Sequence, residues 1–290
     1  MTPALSIIIP AYNEAPRLGK SLHTIFNYLS EQSYDSEVIV VDDGSTDDTP
    51  KVAEENLAAA GQRTVAQLIR VRPNRGKGHA VRSGLLAARA PIALFSDADL
   101  STPITETPKL TGPIRSGEYD VVLGSRALDR SLIGVHQPWR REQGGRIVNL
   151  LVRLATGMSI WDTQCGFKAF RMDVCRPVVE AATIDRFGFD IELLYVAHLA
   201  GLRLFERAVR WDHCDGSKLN PLRDGLRMLA EIKTIRAQAR RGVYREAISV
   251  VRSIVVAHKT GDVSLMLGDT DSSPSDVSPE LAGQRLEVRS

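Results

Sequence analysis

Cysteine is scarce in this chain: Cys165, Cys175 and Cys214 are the only three in 290 residues. An odd number without Cys-x-x-Cys spacing argues against a disulfide framework and against a zinc site, and fits a reducing compartment. A dominant charge is also missing, since 37 basic and 35 acidic side chains leave +2, too little to imply a nucleic-acid partner. The surplus of arginine over acids that does exist lies at 203–252, and suits either anionic lipid or a solvated helix face. No apolar run approaches the roughly 20 residues that cross a bilayer. The N-terminus enters a strand without the basic and apolar regions of a signal peptide. These absences predict a cytoplasmic protein without a transmembrane helix, peripheral on the cytoplasmic face of any membrane it serves. The first strand is not followed by a Gly-rich turn, which counts against a Rossmann NAD site.

What is present is alternation. Short β-branched runs at 5–9, 37–41, 65–71, 92–95 and 119–123 are nearly continuous in apolar character and read as buried parallel strands. Helical stretches at 16–29, 49–60, 78–89 and 103–115 fall between them, the second announced by Ser45-Thr46-Asp47-Asp48 and Pro50. The pattern predicts an α/β fold with a Rossmann-like, doubly wound and mostly parallel sheet flanked by helices. Ligands in such sheets gather beyond the carboxyl ends of the strands.

Each polar cluster of the first half sits at such an end. Asp97-Ala98-Asp99 closes the run Pro91-Ile92-Ala93-Leu94-Phe95-Ser96. Positions i and i+2 of a strand point the same way, so the two carboxylates should leave the sheet edge together. Two hard oxygen ligands suit Mg²⁺ or Mn²⁺, which fills its other positions with water and phosphate oxygens. The plainer reading is a pair of turn or cap hydrogen bonds. Pro10-Ala11-Tyr12-Asn13-Glu14 follows the first strand and Asp42-Asp43-Gly44-Ser45 the second, where a carboxylate can accept from a ribose hydroxyl or a base N–H, or equally hold a turn and cap a helix. Asn74-Arg75-Gly76-Lys77-Gly78-His79 joins a strand to a helix, with glycines for close backbone approach and a lysine that can meet negative charge.

These segments in this order resemble the family 2 glycosyltransferases of GT-A fold. Gly124-Ser125-Arg126, Asp162-Thr163-Gln164-Cys165-Gly166-Phe167-Lys168, Phe189-Asp190-Ile191-Glu192 and Gly216-Ser217-Lys218-Leu219 resemble the branch that makes dolichyl-phosphate or polyprenyl-phosphate β-glucosides. The resemblance spans about residues 5–244. It implies inverting transfer of glucose from UDP-glucose to a polyprenyl phosphate. It places Pro10, Tyr12, Glu14, Val41 and Asp43 in the nucleoside pocket, Asp97 near the ribose and metal, and Asp99 on the metal, with Lys77 also at the donor. Arg126 and Lys168 would contact phosphate, and Lys218, on a loop over the site, would grip the diphosphate. It also suggests a donor-binding half at 1–126, an acceptor half at 127–245 and an extension at 246–290 that loses periodicity after 261.

The acceptor sets the need for a base. A phosphate monoester with second pKa near ~6 arrives ionised, whereas a hydroxyl needs a carboxylate, for which Asp190 or Asp162 would serve; each is otherwise read as a helix cap or a turn residue. GDP-mannose or UDP-N-acetylglucosamine as donor, a soluble glycan hydroxyl as acceptor, and a non-catalytic nucleotide-sugar-binding protein stand as alternatives. Eukaryotic members carry a membrane anchor that this chain lacks, so attachment would differ. Ile147, Leu150, Leu151 and Leu154 recur at helical spacing within 146–154, as an interfacial helix or as one packed on the sheet. An Arg-rich helix at 221–241 is a second possible contact with headgroups, or a solvated face.

Overall fold

The structure is a computed structural model that describes residues 2–135, 139–214 and 221–260. Lys218 and everything after 260 therefore lie outside the described residues. The first half alternates as the apolar runs predict. Strands β1 (Leu5–Ala11), β2 (Ser36–Asp42), β3 (Thr64–Arg70), β4 (Ile92–Ser96) and β5 (Val121–Ser125) are separated by helices α1 (Ala15–Ser30), α2 (Thr49–Leu57), α3 (Lys77–Ala87) and α4 (Thr107–Arg115). The second half runs β6 (Ile133–Val135), α5 (Trp139–Thr156), β7 (Phe167–Arg171), α6 (Met172–Ala181), α7 (Phe189–Ala200), β8 (Leu204–Ala208), β9 (Trp211–Asp212), α8 (Pro221–Arg241) and α9 (Arg245–Thr260).

Seven strands form one sheet in the order β3-β2-β1-β4-β7-β5-β8, and β6 pairs with β9 in a small second sheet. Every pairing in the large sheet is parallel except those of β7, which lies antiparallel between β4 and β5. All residues of β1, β2, β4 and β5 are buried, as a sheet covered on both faces requires. The helix α3 closes tightly on that sheet at Gly84, where a Cβ would lie 2.3 Å from Ile8 Cγ2, so a side chain there would force the layers apart.

The contact pattern divides the chain into Met1–Arg252 and Ser253–Ser290. The first unit holds both sheets; of the second, the structure describes the last residues of α9. No helix among the described residues is long and apolar enough to cross a membrane.

Candidate active site

The loops after β1 and β2 are laced together by their polar side chains. Asn13, at φ 54, accepts from Thr46 N–H at 2.8 Å through Oδ1 and donates its own N–H to Ser45 Oγ at 2.9 Å. Glu14 N–H reaches Thr49 Oγ1 at 2.7 Å, and the Glu14 carboxylate pairs with Arg17. Pro10 and Val41 face each other in the β1–β2 register, both buried, while the Tyr12 ring is exposed beyond them.

Asp43 serves the neighbouring loop. Its carboxylate accepts from Asn74 Nδ2 at 2.8 Å, Arg75 N–H at 3.0 Å and Gly76 N–H at 2.7 Å, fixing the segment that leads into α3. Burial pushes the Asp43 carboxyl above its ordinary pKa, against the pull of the two backbone N–H groups. Asp42 beside it is fully buried: Oδ1 accepts from Ser45 N–H at 3.1 Å, and Oδ2 has no hydrogen-bond partner among the described residues.

Two glycines let the start of α3 approach the segment before α7. A Cβ on Gly76, at φ 120, would meet Asp185 O at 2.5 Å, and one on Gly78 would meet Phe189 Cβ at 2.5 Å. Between them, Lys77 opens α3 and extends its ammonium to Asp97 Oδ1 at 2.5 Å. Burial lowers the Lys77 pKa, but the charges of Asp97, Asp190 and Asp99 outweigh it and hold the amine above its usual range.

Asp97 and Asp99 do not leave the sheet as a strand pair. β4 ends at Ser96, and a turn closed by Leu100 N–H to Asp97 O at 3.1 Å follows, with Leu100 at φ 49. Asp97 is seated by the residue just before β7: its N–H donates to Gly166 O at 3.0 Å, and a Cβ on Gly166 would lie 2.1 Å from Asp97 Oδ2. Asp99 Oδ1 accepts from Ser101 N–H at 2.9 Å, the turn bond that the plainer reading expects. Asp99 also borders a cleft of about 710 Å³ lined in part by Asn13, Arg17, Lys20 and Cys214.

The remaining expected residues form ion pairs. Arg126 grips Asp162 with Nε at 2.7 Å, Nη2 at 2.8 Å and its backbone N–H at 3.0 Å, and its guanidinium lies 5.5 Å from the Trp211 ring centre. Burial pushes the Asp162 carboxyl up, and the Arg126 charge more than reverses this, leaving it below the carboxylate range. Lys168 does not face outward to a phosphate. Its side chain is 1% exposed and donates to Asp190 Oδ1 at 2.7 Å and to Cys165 O, over the Phe95 ring. β7 lies in mid-sheet, and the face on which Lys168 leaves it is covered by α7, which carries Asp190 and packs Phe189 on Phe95. Asp190 is not the cap of α7, a position held by Gly188; it sits in the first turn with its carboxylate on Lys168.

Among the described residues no cluster of three or more His, Cys, Asp or Glu exists, and Asp97 and Asp99 are the pair expected to hold a divalent cation. The donor set fits Mg²⁺ or Mn²⁺: two carboxylates, no imidazole or thiolate, and coordination left for phosphate oxygens and water. Lys77 supplies positive charge to Asp97 Oδ1.

The sheet order, with an acidic turn beside a lysine at the carboxyl edge of its central strand, defines a GT-A-type α/β fold. Residues 6–178 match Glycosyl transferase family 2. The chain is 37% identical over 254 residues to a dolichyl-phosphate β-glucosyltransferase of Drosophila melanogaster, covering 84% of this chain and 77% of that protein. It is 32% identical over 251 residues to the enzyme so named in Dictyostelium discoideum, covering 83% and 76%. It therefore belongs to glycosyl transferase family 2. Its fold is shared with glucosyl-3-phosphoglycerate synthase of Mycobacterium tuberculosis, solved with Mn²⁺, UDP-glucose and phosphoglyceric acid, at TM-score 0.56 and 22% identity over 83% of this chain and 80% of that one.

Proposed function

We propose that this glycosyltransferase moves glucose from UDP-glucose to a polyprenyl phosphate at a membrane surface, inverting the anomeric carbon. The observation that carries the reading is the Lys77–Asp97 contact beside Asp99, in a chain whose relatives are named for glucosyl transfer to dolichyl phosphate. In this reading 1–126 bind the donor and 127–245 the acceptor. Pro10, Tyr12, Glu14, Val41 and Asp43 line the nucleoside pocket, with the exposed Tyr12 ring against the base. Asp97 and Asp99 would hold Mg²⁺ or Mn²⁺, which would neutralise charge on the diphosphate.

An acceptor phosphate oxygen attacks the anomeric carbon from the face opposite the diphosphate, and the C–O bond to UDP breaks as the new one forms. Negative charge grows on UDP, and Lys77 supplies positive charge where it grows. Lys218, outside the described residues, adds a second cation, and Arg126, oriented by Asp162, meets the acceptor phosphate. Asp190 is tied to Lys168 and 4% exposed, a poor position for a general base. That favours an acceptor that arrives ionised, as a phosphate monoester does.

The test is transfer from radiolabelled UDP-glucose to polyprenyl phosphate in detergent, with Mg²⁺ or Mn²⁺ and with chelator. Metal-dependent, acid-labile label in the organic phase is expected. UDP release without extractable label would move the acceptor to water or a soluble hydroxyl, and activity only with GDP-mannose or UDP-N-acetylglucosamine would change the donor.

A further inference from the structure

Seven of the thirteen large apolar side chains that the described residues leave exposed lie between Leu128 and Trp161. Four of them share one face of α5: Ile147 is 60% exposed, Leu150 52%, Leu151 37% and Leu154 74%. Their spacing of three, four and seven places them on a single stripe. The other side of α5 faces the protein. Val152 and Thr156 are buried, and Asn149 Oδ1 accepts from the N–H and Oγ1 of Thr163 at 3.3 and 3.0 Å. Thr163 adjoins Asp162, the partner of Arg126, so the helix that presents the apolar stripe is pinned beside the arginine assigned to the acceptor.

We infer that this stripe docks α5 into an anionic lipid bilayer. Charge complementarity selects that occupant. The residues of α5 include Arg140, Arg141, Arg146 and Arg153 against the single acid Glu142, the composition of a helix lying in an anionic interface. Trp161, 54% exposed, lies under the Arg153 guanidinium at 3.7 Å, pairing an interfacial aromatic with a cation for the headgroups. The stripe then enters the acyl boundary while Arg126 stays at headgroup level, where a polyprenyl phosphate presents its phosphate. This inference deepens the acceptor assignment of the previous section and rests on it.

Flotation of the full chain tests it, using phosphatidylcholine vesicles with and without one-third phosphatidylglycerol. The chain should float with the anionic vesicles, less with the neutral ones and less at high salt. The exposed double substitution Leu150→Ser/Leu154→Ser should lower the bound fraction about tenfold or more, with an unchanged circular dichroism melt and unchanged turnover on a short-chain, water-soluble polyprenyl phosphate. A double variant that floats like the parent overturns the inference. So does a parent that is dimeric in solution and becomes monomeric in the variant, because the stripe would then belong to a second copy. Loss of flotation in the variant when neither protein turns over any polyprenyl phosphate would leave the docking face standing and sink the acceptor assignment instead.

Discussion

Two Lys–Asp pairs of nearly equal length have opposite surroundings: one joins the start of α3 to the turn after β4, the other joins β7 to α7. Lys77–Asp97 spans 2.5 Å at side-chain exposures of 29% and 32%, and Lys168–Asp190 spans 2.7 Å at 1% and 5%. The first borders open space, so its charges can be shared with an incoming anion or cation. The second is enclosed by the sheet and α7, and holds β7 to the helix behind it. Burial, not residue type, separates a pair that can meet a ligand from one that fastens the scaffold.

The largest effect is expected at Asp99, whose charge Lys77 also feels. Asp99→Ala should lower turnover by about 10³-fold or more while the thermal melt is unchanged, because a turn carboxylate at the site edge is lost and the core is not touched. A folded variant with normal, metal-dependent activity would sink the assignment. Lys168→Met should instead cost stability, about 3–5 kcal/mol in urea unfolding, since the Asp190 carboxylate is left buried without its counter-charge. If it melts like the parent, the two pairs do not differ as argued. Lys77→Met should reverse that pattern: kcat falls by about 10²-fold, and stability moves by no more than about 1 kcal/mol.

The smallest effect concerns a pair of intermediate burial. The Asp120 carboxylate, 4% exposed, accepts from Arg203 at 2.8 and 3.0 Å and from Arg171 at 3.2 Å, while the Arg203 side chain is 48% exposed. Burial raises the Asp120 pKa, and the bonds from Arg203 more than offset this, holding it below the usual value. A depressed carboxylate contributes stability that is complete above its unfolded pKa of about 4 and is lost as pH falls through the lower folded value. Urea midpoints of the parent and Asp120→Asn should therefore differ at neutral pH and converge in acid. A gap that persists at low pH would show that the arginines act through packing alone.

Much of the first half was legible because its strands are continuous apolar runs and its chemistry lies at their ends. β7 and β8 were not, since Phe167-Lys168-Ala169-Phe170-Arg171 and Leu204-Phe205-Glu206-Arg207-Ala208 interrupt apolar residues with charge. The apolar neighbours on both sides of Lys168 were the available signal that it is buried. Nothing local names Asp190, 22 residues on, as its counter-ion. The role of Gly166 under Asp97 was equally hidden, because the need for a missing side chain arises only once β7 packs beside β4.

By itself the sequence determined the alternation of strand and helix, the collection of polar clusters at strand ends, and the motifs that mark the family, because each is written in contiguous residues. Only the tertiary structure decided which charges border open space. Asp43 went to the Asn74–Gly76 loop, Arg126 to Asp162 at a separation of 36 residues, and Lys168 to the interior, while Lys77 and Asp97 met at the sheet edge. The physical reason is that a charge is priced by its solvent and its partner, and both are set by chain segments that meet only when the sheet closes.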